Sequence, residues 1–270
     1  MIAGKTWREL RVMALVYLLI LELLAVPVIL WWPDLYGDLQ KSSLFRNAPV
    51  DVVRRIFEGV TDKNEDVAYR NWIAAMLFFR SVNLAGIAAA VLFGTALFAR
   101  EREAQTFEFL LARPVSRARI LFEKSWPTAL CVTIPIFLAN WSAIFWSHQI
   151  ELVLPFWTVT LASAHAAVFV LCLLAFTTWV SVLCRVQAHV AFWVGGITIV
   201  QIGVYLTQRL RQFSFFRLSD FEWYGPILSG NTPAWQMFDP IRSHGFTTYL
   251  LVATGVFYGL AWRSLLRTEL

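Results

Sequence analysis

Six stretches of this chain, 12–32, 73–98, 125–147, 155–183, 189–206 and 247–262, are long and apolar, and they constrain the fold more than any other feature. About 20 predominantly apolar residues let a helix cross a bilayer. The hydrocarbon offers backbone N–H and C=O groups no partner, so each crossing must satisfy its own as a helix. Composition agrees: 58% of residues are hydrophobic and 15% charged, whereas a soluble domain carries about 25% charge. The chain is therefore predicted to be an all-α polytopic membrane protein. Six transmembrane helices would form a single transmembrane domain over residues 1–270, with no soluble domain. The first run is too long for the apolar region of a signal peptide, and no small-residue cleavage site follows it. Cys131, Cys172 and Cys184 lie inside apolar runs. There they act as small hydrophobes, with no disulfide framework and no metal-ligand spacing. The net charge of +5 is scattered over span flanks, without the basic, aromatic-interleaved stripe of a nucleic-acid surface.

Charge placement orients the spans. Lys5, Arg8 and Arg11 precede the first, and residues 100–124 hold six Lys/Arg and four Glu. The 33–72 loop also holds six cations, but seven acids outnumber them. The positive-inside bias then puts both termini in the cytoplasm, with the chain integral to the plasma (inner) membrane. Trp31, Trp32, Trp72, Trp146 and Trp157 fall at the outer interface on this reading, where amphipathic rings prefer to lie. Two outer segments, 33–71 and 209–246, are too long to be turns. The first repeats apolar residues at helical spacing (Val52, Val53, Ile56, Phe57, Val60). The second carries the breakers Gly225-Pro226 and Asn231-Thr232-Pro233 among many aromatics. Short helices lying in the outer interface are expected in both.

The 100–124 segment is the one strongly charged island between apolar runs. A helix over 106–113 puts Phe107, Leu110 and Leu111 on one face, and Pro114 ends it. Ser116 is placed to cap the next helix, with Val115 and Ile120 at the positions of a hydrophobic staple. Arg117 and Arg119 then lie in a first turn whose dipole disfavours cations, a penalty that lipid phosphates or an acidic partner would offset. From pattern alone the island is either an ordinary basic loop or a docking element.

The run Glu101-x-Glu103-x-x-Thr106-x-Glu108-x-Leu110-Leu111-x-x-Pro114-Val115-Ser116-Arg117, with Lys124 beyond, resembles the intracellular loop of ABC-2-type transporter permeases. The resemblance is close over about 25 residues and extends loosely to the six spans. One departure is Gln105, where relatives commonly have Gly before the Thr. The resemblance implies a coupling helix between the second and third spans, docked in a groove of a cytoplasmic ATPase subunit. Phe107, Leu110 and Leu111 would bury in that groove, with Glu101, Glu103, Glu108, Arg113 and Arg117 at its rim. It also implies pairing with a second copy or a related permease. The amphipathic start (Trp7, Leu10, Lys5, Arg8, Arg11) resembles the family's interfacial elbow helix, a position in which basic residues meet lipid headgroups.

The spans carry further candidates. Glu22 and Arg80 lie at similar predicted depth in the first two spans. They would form a structural ion pair, a polar patch on a substrate route or a proton-sensitive latch. Asn83, Asn140, His165 and Gln201 would hydrogen-bond neighbouring helices or touch substrate. Gly195-Gly196 and Gly203 give the fifth span a small-residue face, for packing within the chain or against a second copy. Gly4-Lys5-Thr6 lacks the upstream glycine and strand of a phosphate-binding loop, so no cofactor is expected on this chain and ATP with Mg²⁺ belongs to the partner. No spacing typical of catalysis or of a metal site appears, which argues against an intramembrane enzyme. The leading expectation is the permease subunit of an ATP-driven exporter. The alternative is an ATPase-coupled scaffold or mechanical transmitter through which no substrate passes.

Overall fold

The computed structural model describes residues 2–41, 51–107, 109, 115–240 and 245–267. Every regular element among them is helical, and six helices are long and apolar enough to cross a membrane. The first, Ile2–Leu30, runs unbroken from the N-terminus. The amphipathic start that resembles an elbow helix is continuous with this span among the described residues, and Lys5, Arg8 and Arg11 lie on its first turns. The second crossing spans Glu65–Thr95 and is π-helical over Ile73–Val82. Inside that stretch the Ser81 hydroxyl donates to the Met76 carbonyl, five residues back, at 2.7 Å. The remaining spans are Arg117–Gln149, Phe156–Leu183, Gln187–Leu206 and Phe246–Leu266. Pro127 and Pro135 sit inside the third span, tolerated where neighbouring helices and side chains re-satisfy freed backbone groups.

The fourth span is the axis of the bundle. Of its most apolar stretch 72% is buried, against 22%, 22% and 17% for the first, fifth and sixth. It packs on the second, third and sixth spans, while the first lies mainly along the third. Close approach to the second span depends on glycine. A Cβ at Gly86 would lie 2.4 Å from a Val170 methyl, and one at Gly94 would lie 2.6 Å from the Thr177 methyl. Absence of a side chain lets the two backbones meet. The start of the first span, residues 96–107 and the turn at 184–186 share one end of the bundle, called here the near end.

At the far end short helices form a cap. Trp32–Lys41 and Asp51–Val60 lead to the second span, whose first turns, Glu65–Trp72, belong to the cap, and Phe221–Leu228 packs beside its π-helical part. Trp32 is wholly buried, with ring centroids 5.1 Å from Tyr36, 5.5 Å from Tyr69 and 5.8 Å from Trp72. Trp31 and Trp157 are exposed, at 69% and 63%. Gly225-Pro226 lies inside a helix instead of ending one. Gly225 passes against Asn71, and the chain turns only at Gly230, whose φ of +74° suits glycine. A charge network binds the cap together. Arg55 bridges Asp51, at 3.0 Å, and Glu222, while Arg211 bridges Asp220 and Glu222. Burial works against an ionised Glu222, but Arg55 and Arg211 outweigh it and hold its carboxyl below the usual range.

Replacing Gly94 with Ala drives a methyl into Thr177, an overpacking that costs about 1–3 kcal/mol. Gly255→Ala is the matched control, since a Cβ there meets nothing within 4 Å. Thermal unfolding in detergent should show a clear fall in Tm for Gly94→Ala and none for Gly255→Ala. Equal responses would contradict the glycine-dependent contact.

Candidate functional site

The site builds from the end of the second span. The helix turns at Thr95, and a short helix, Ala99–Glu103, follows almost at once. Such a junction leaves orphan carbonyls on one side and orphan N–H groups on the other. Ser181 of the fourth span serves both. Its hydroxyl oxygen accepts from Ala99 N at 2.9 Å and Phe98 N at 3.3 Å, and its proton goes to the Thr95 carbonyl at 3.4 Å. Lys124 of the third span, only 5% exposed, donates through Nζ to the Leu97 carbonyl at 2.8 Å and to Glu101 Oε1 at 2.7 Å. A cation at a helix C-terminus is favourable, and the carboxylate compensates its burial.

The short helix closes with a left-handed turn. Gln105 has φ of +54°; its N–H reaches the Arg102 carbonyl at 3.1 Å, and Thr106 N reaches the Glu101 carbonyl at 2.9 Å. That bond pair is the Schellman arrangement, and its left-handed residue is the position where glycine avoids a Cβ penalty. This gives the resemblance's Gly-Thr pattern a physical cause. Ser116 then caps the third span as expected, its side chain accepting from Arg119 N at 3.3 Å. Val115 packs on the cluster containing Ile120.

The residues read from sequence as a partner surface divide unexpectedly. Glu101 pairs inward with Lys124. Glu103 accepts from Gln187 N at 3.2 Å and Gln187 Nε2 at 3.3 Å, capping the fifth span. Arg117 donates to the Leu265 carbonyl at the end of the sixth span. Arg119, the other cation in that first turn, pairs with Glu123 at 2.8 Å. Phe107 is buried with Leu97, Phe98, Ile120, Leu121 and Leu265, so it does not share an outward face. Phe109, passed over in the sequence reading, is 76% exposed. Arg100, Gln105 and Thr106 are exposed beside it in the segment. Glu108, Leu110, Leu111, Arg113 and Pro114 lie outside the described residues.

The intramembrane candidates are used within the fold. Glu22 does not meet Arg80: Ser142 of the third span donates to its Oε2 at 2.8 Å, and no ion pair joins the two among the described residues. The π-helical register turns Arg80 outward while Phe78, Ser81 and Val82 are buried. Asn83 Nδ2 donates to the Ser219 carbonyl at 2.9 Å and to its hydroxyl at 3.0 Å. His165 Nε2 donates to the Leu218 carbonyl at 2.8 Å, and Nδ1 meets the Thr247 hydroxyl at 2.8 Å. Asn140 donates to Ser163 at 3.0 Å, and Gln201 accepts from Phe215 N at 3.2 Å. A Cβ at Gly195, Gly196 or Gly203 would touch nothing, so packing within the chain does not account for that face.

A family model described as ABC-2 family transporter protein matches residues 3–209. No curated protein matches the chain.

Removing one partner of a buried ion pair strands the other charge and costs about 3–5 kcal/mol. Lys124→Met and Glu101→Gln should each lower Tm markedly, and the double variant should fall by less than the sum. Additive losses in a thermal-unfolding cycle would show that the pair is not coupled.

Proposed function

The chain belongs to the ABC-2 transporter family as a membrane permease of an ABC transporter, and from that premise we propose that a separate cytoplasmic ATPase subunit drives it through the 101–117 segment. The direction proposed is export, with the near end and both termini in the cytoplasm and the chain in the plasma membrane. ATP and Mg²⁺ act in the partner, and this chain supplies movement rather than hydrolysis. A second permease copy is proposed to cover the exposed faces of the first and fifth spans.

One observation supports the reading: this segment and the turn at 97–99 that leads into it are together bonded to four spans. Lys124 holds it to the third, Ser181 to the fourth, Gln187 to the fifth, and Arg117 reaches the end of the sixth. A push on such an element is delivered to the bundle instead of being absorbed by a slack loop. The proposed docking surface is Arg100, Gln105, Thr106 and exposed Phe109, an aromatic anchor beside polar groups. Leu110, Leu111, Glu108, Arg113 and Pro114 keep the docking role that the resemblance implies.

The mechanical-transmitter reading has one observation in its favour. Asn83, His165 and Gln201 spend their hydrogen bonds tying spans to the cap, so they do not mark a polar route for cargo. ATP-dependent accumulation of a compound in cells lacking the chain separates the two readings.

Phe109→Asp should cut co-purification of a nucleotide-binding subunit at least about tenfold, as truncating an interface anchor costs about 2 kcal/mol or more. Its Tm should stay near wild type, because the side chain touches little of the fold. Undiminished co-purification by a folded Phe109→Asp chain would overturn the proposed surface.

A further inference from the structure

At the far end, where the fifth span gives way to the cap, Gln208, Arg209, Arg211, Gln212, Arg217 and Trp223 line a cavity of about 370 Å³, with Phe246 of the sixth span on its wall. Its charges are not balanced. The acids on its wall, Asp220 and Glu222, are committed to Arg211 and, for Glu222, also to Arg55. Arg209 and Arg217 are exposed and make no side-chain hydrogen bond or ion pair among the described residues. Two further donors point to the same need: Arg211 Nε and Trp223 Nε1 are buried and have no acceptor in the protein. Buried N–H groups are nearly always paired, and with Arg209 and Arg217 unpaired on the wall beside them the cavity suits an acceptor-rich anion.

Directly along the chain from this cavity lies one of opposite character. Leu173, Phe176, Ile197, Leu250, Ala253 and Phe257 line an apolar slot of about 260 Å³ between the fourth, fifth and sixth spans. The two share their boundary elements. Arg217 lines the polar cavity and its neighbour Leu218 the slot, while Phe246 and Leu250 are one helical turn apart. His165 clamps this boundary by bonding both Leu218 and Thr247. From Phe246 to Phe257 the sixth span descends roughly 16 Å at 1.5 Å per residue, about half of the 30 Å hydrocarbon core. Ile197, on the slot wall, is 42% exposed, so the slot opens sideways to its surroundings.

From this geometry we infer that the chain binds one anionic phospholipid of the far-end leaflet, its phosphate headgroup among Arg209, Arg217 and Trp223 and an acyl chain in the slot. A free phosphate or other soluble anion would use the upper cavity alone. The apolar slot directly beside that cavity, with Leu218 next to Arg217 and Leu250 one turn from Phe246, selects a lipid. Most of the upper cavity lies beyond residue 209, where the family match ends. The site does not rest on ATPase docking and needs only that the chain span a bilayer.

Native mass spectrometry of the full chain in detergent tests this, titrating phosphatidylglycerol against phosphatidylcholine of the same acyl chains. Phosphatidylglycerol should occupy one site at least tenfold more tightly. Arg209→Gln/Arg217→Gln should weaken it about tenfold and weaken phosphatidylcholine by clearly less. Ala253→Trp, which fills the slot, should weaken both. If that variant does not fold, Ile197→Trp, on the exposed rim, takes its place. Glycerol phosphate at millimolar concentration should displace nothing. Equal affinity for the two lipids, an unaffected double arginine variant, slot variants that bind normally, or displacement by glycerol phosphate would each overturn the proposal.

Discussion

An ammonium group removed from water must recover its lost solvation from the protein, and at Lys124 that requirement organises the near end of the molecule. Its Nζ takes a helix-terminal carbonyl from Leu97 and a carboxylate from Glu101. The second span, the short helix after it and the third span are thereby joined through a single atom. Ser181 completes the joint by serving the N–H groups and the carbonyl on either side of the bend. Without these two residues the turn at 95–99 would present buried, unpaired backbone groups. With them, a charged segment that connects two spans becomes part of the bundle.

The same logic orders the far end. The cap shares the apolar core of the spans, with Tyr224 stacked on Phe78 and Phe215 on Phe169, and polar tethers reaching up from the spans fix its position on that core. Asn83 fixes Ser219, Gln201 fixes Phe215, and His165 fixes both Leu218 and the start of the sixth span. Arg55, Arg211 and Glu222 then link the two halves of the cap. Between these ends the fourth span supplies the buried core, against which Gly86 and Gly94 allow the second span to lie closely. The first, fifth and sixth spans are left with broad outward faces, the condition a permease needs if it works beside a second copy or against lipid.

Much of this is legible in the sequence. Apolar run length located all six spans, because a bilayer-crossing helix leaves no alternative for its backbone. The Ser116 cap and the amphipathic helix near Val52 and Val60 followed from local rules that act within a few residues. What escaped was direction. Helical spacing grouped Phe107 with Leu110 and Leu111, but which side of a short helix faces the bundle is decided by distant partners, here Phe98 and Leu265. Trp32 illustrates the same point, since an aromatic at a span end serves equally as an interface anchor or as the centre of a ring cluster. The Glu22–Arg80 pair failed for another reason. Depth was counted on an ideal α-helix, and the π-helical stretch turned Arg80 away. Gln105 was visible only as a departure from pattern, until its positive φ explained what the pattern requires.

The central claim is that residues 97–103 are fastened to the spans and move with them. Amide hydrogen exchange on the lipid-embedded chain tests it at the backbone itself. The account predicts that Phe98 and Ala99 exchange as slowly as amides in the last turns of the second span, and that Ser181→Ala releases them selectively. Exchange at the rate of an unprotected loop in the wild-type chain, unchanged by Ser181→Ala, would show that the segment is slack and that the joint does not transmit motion.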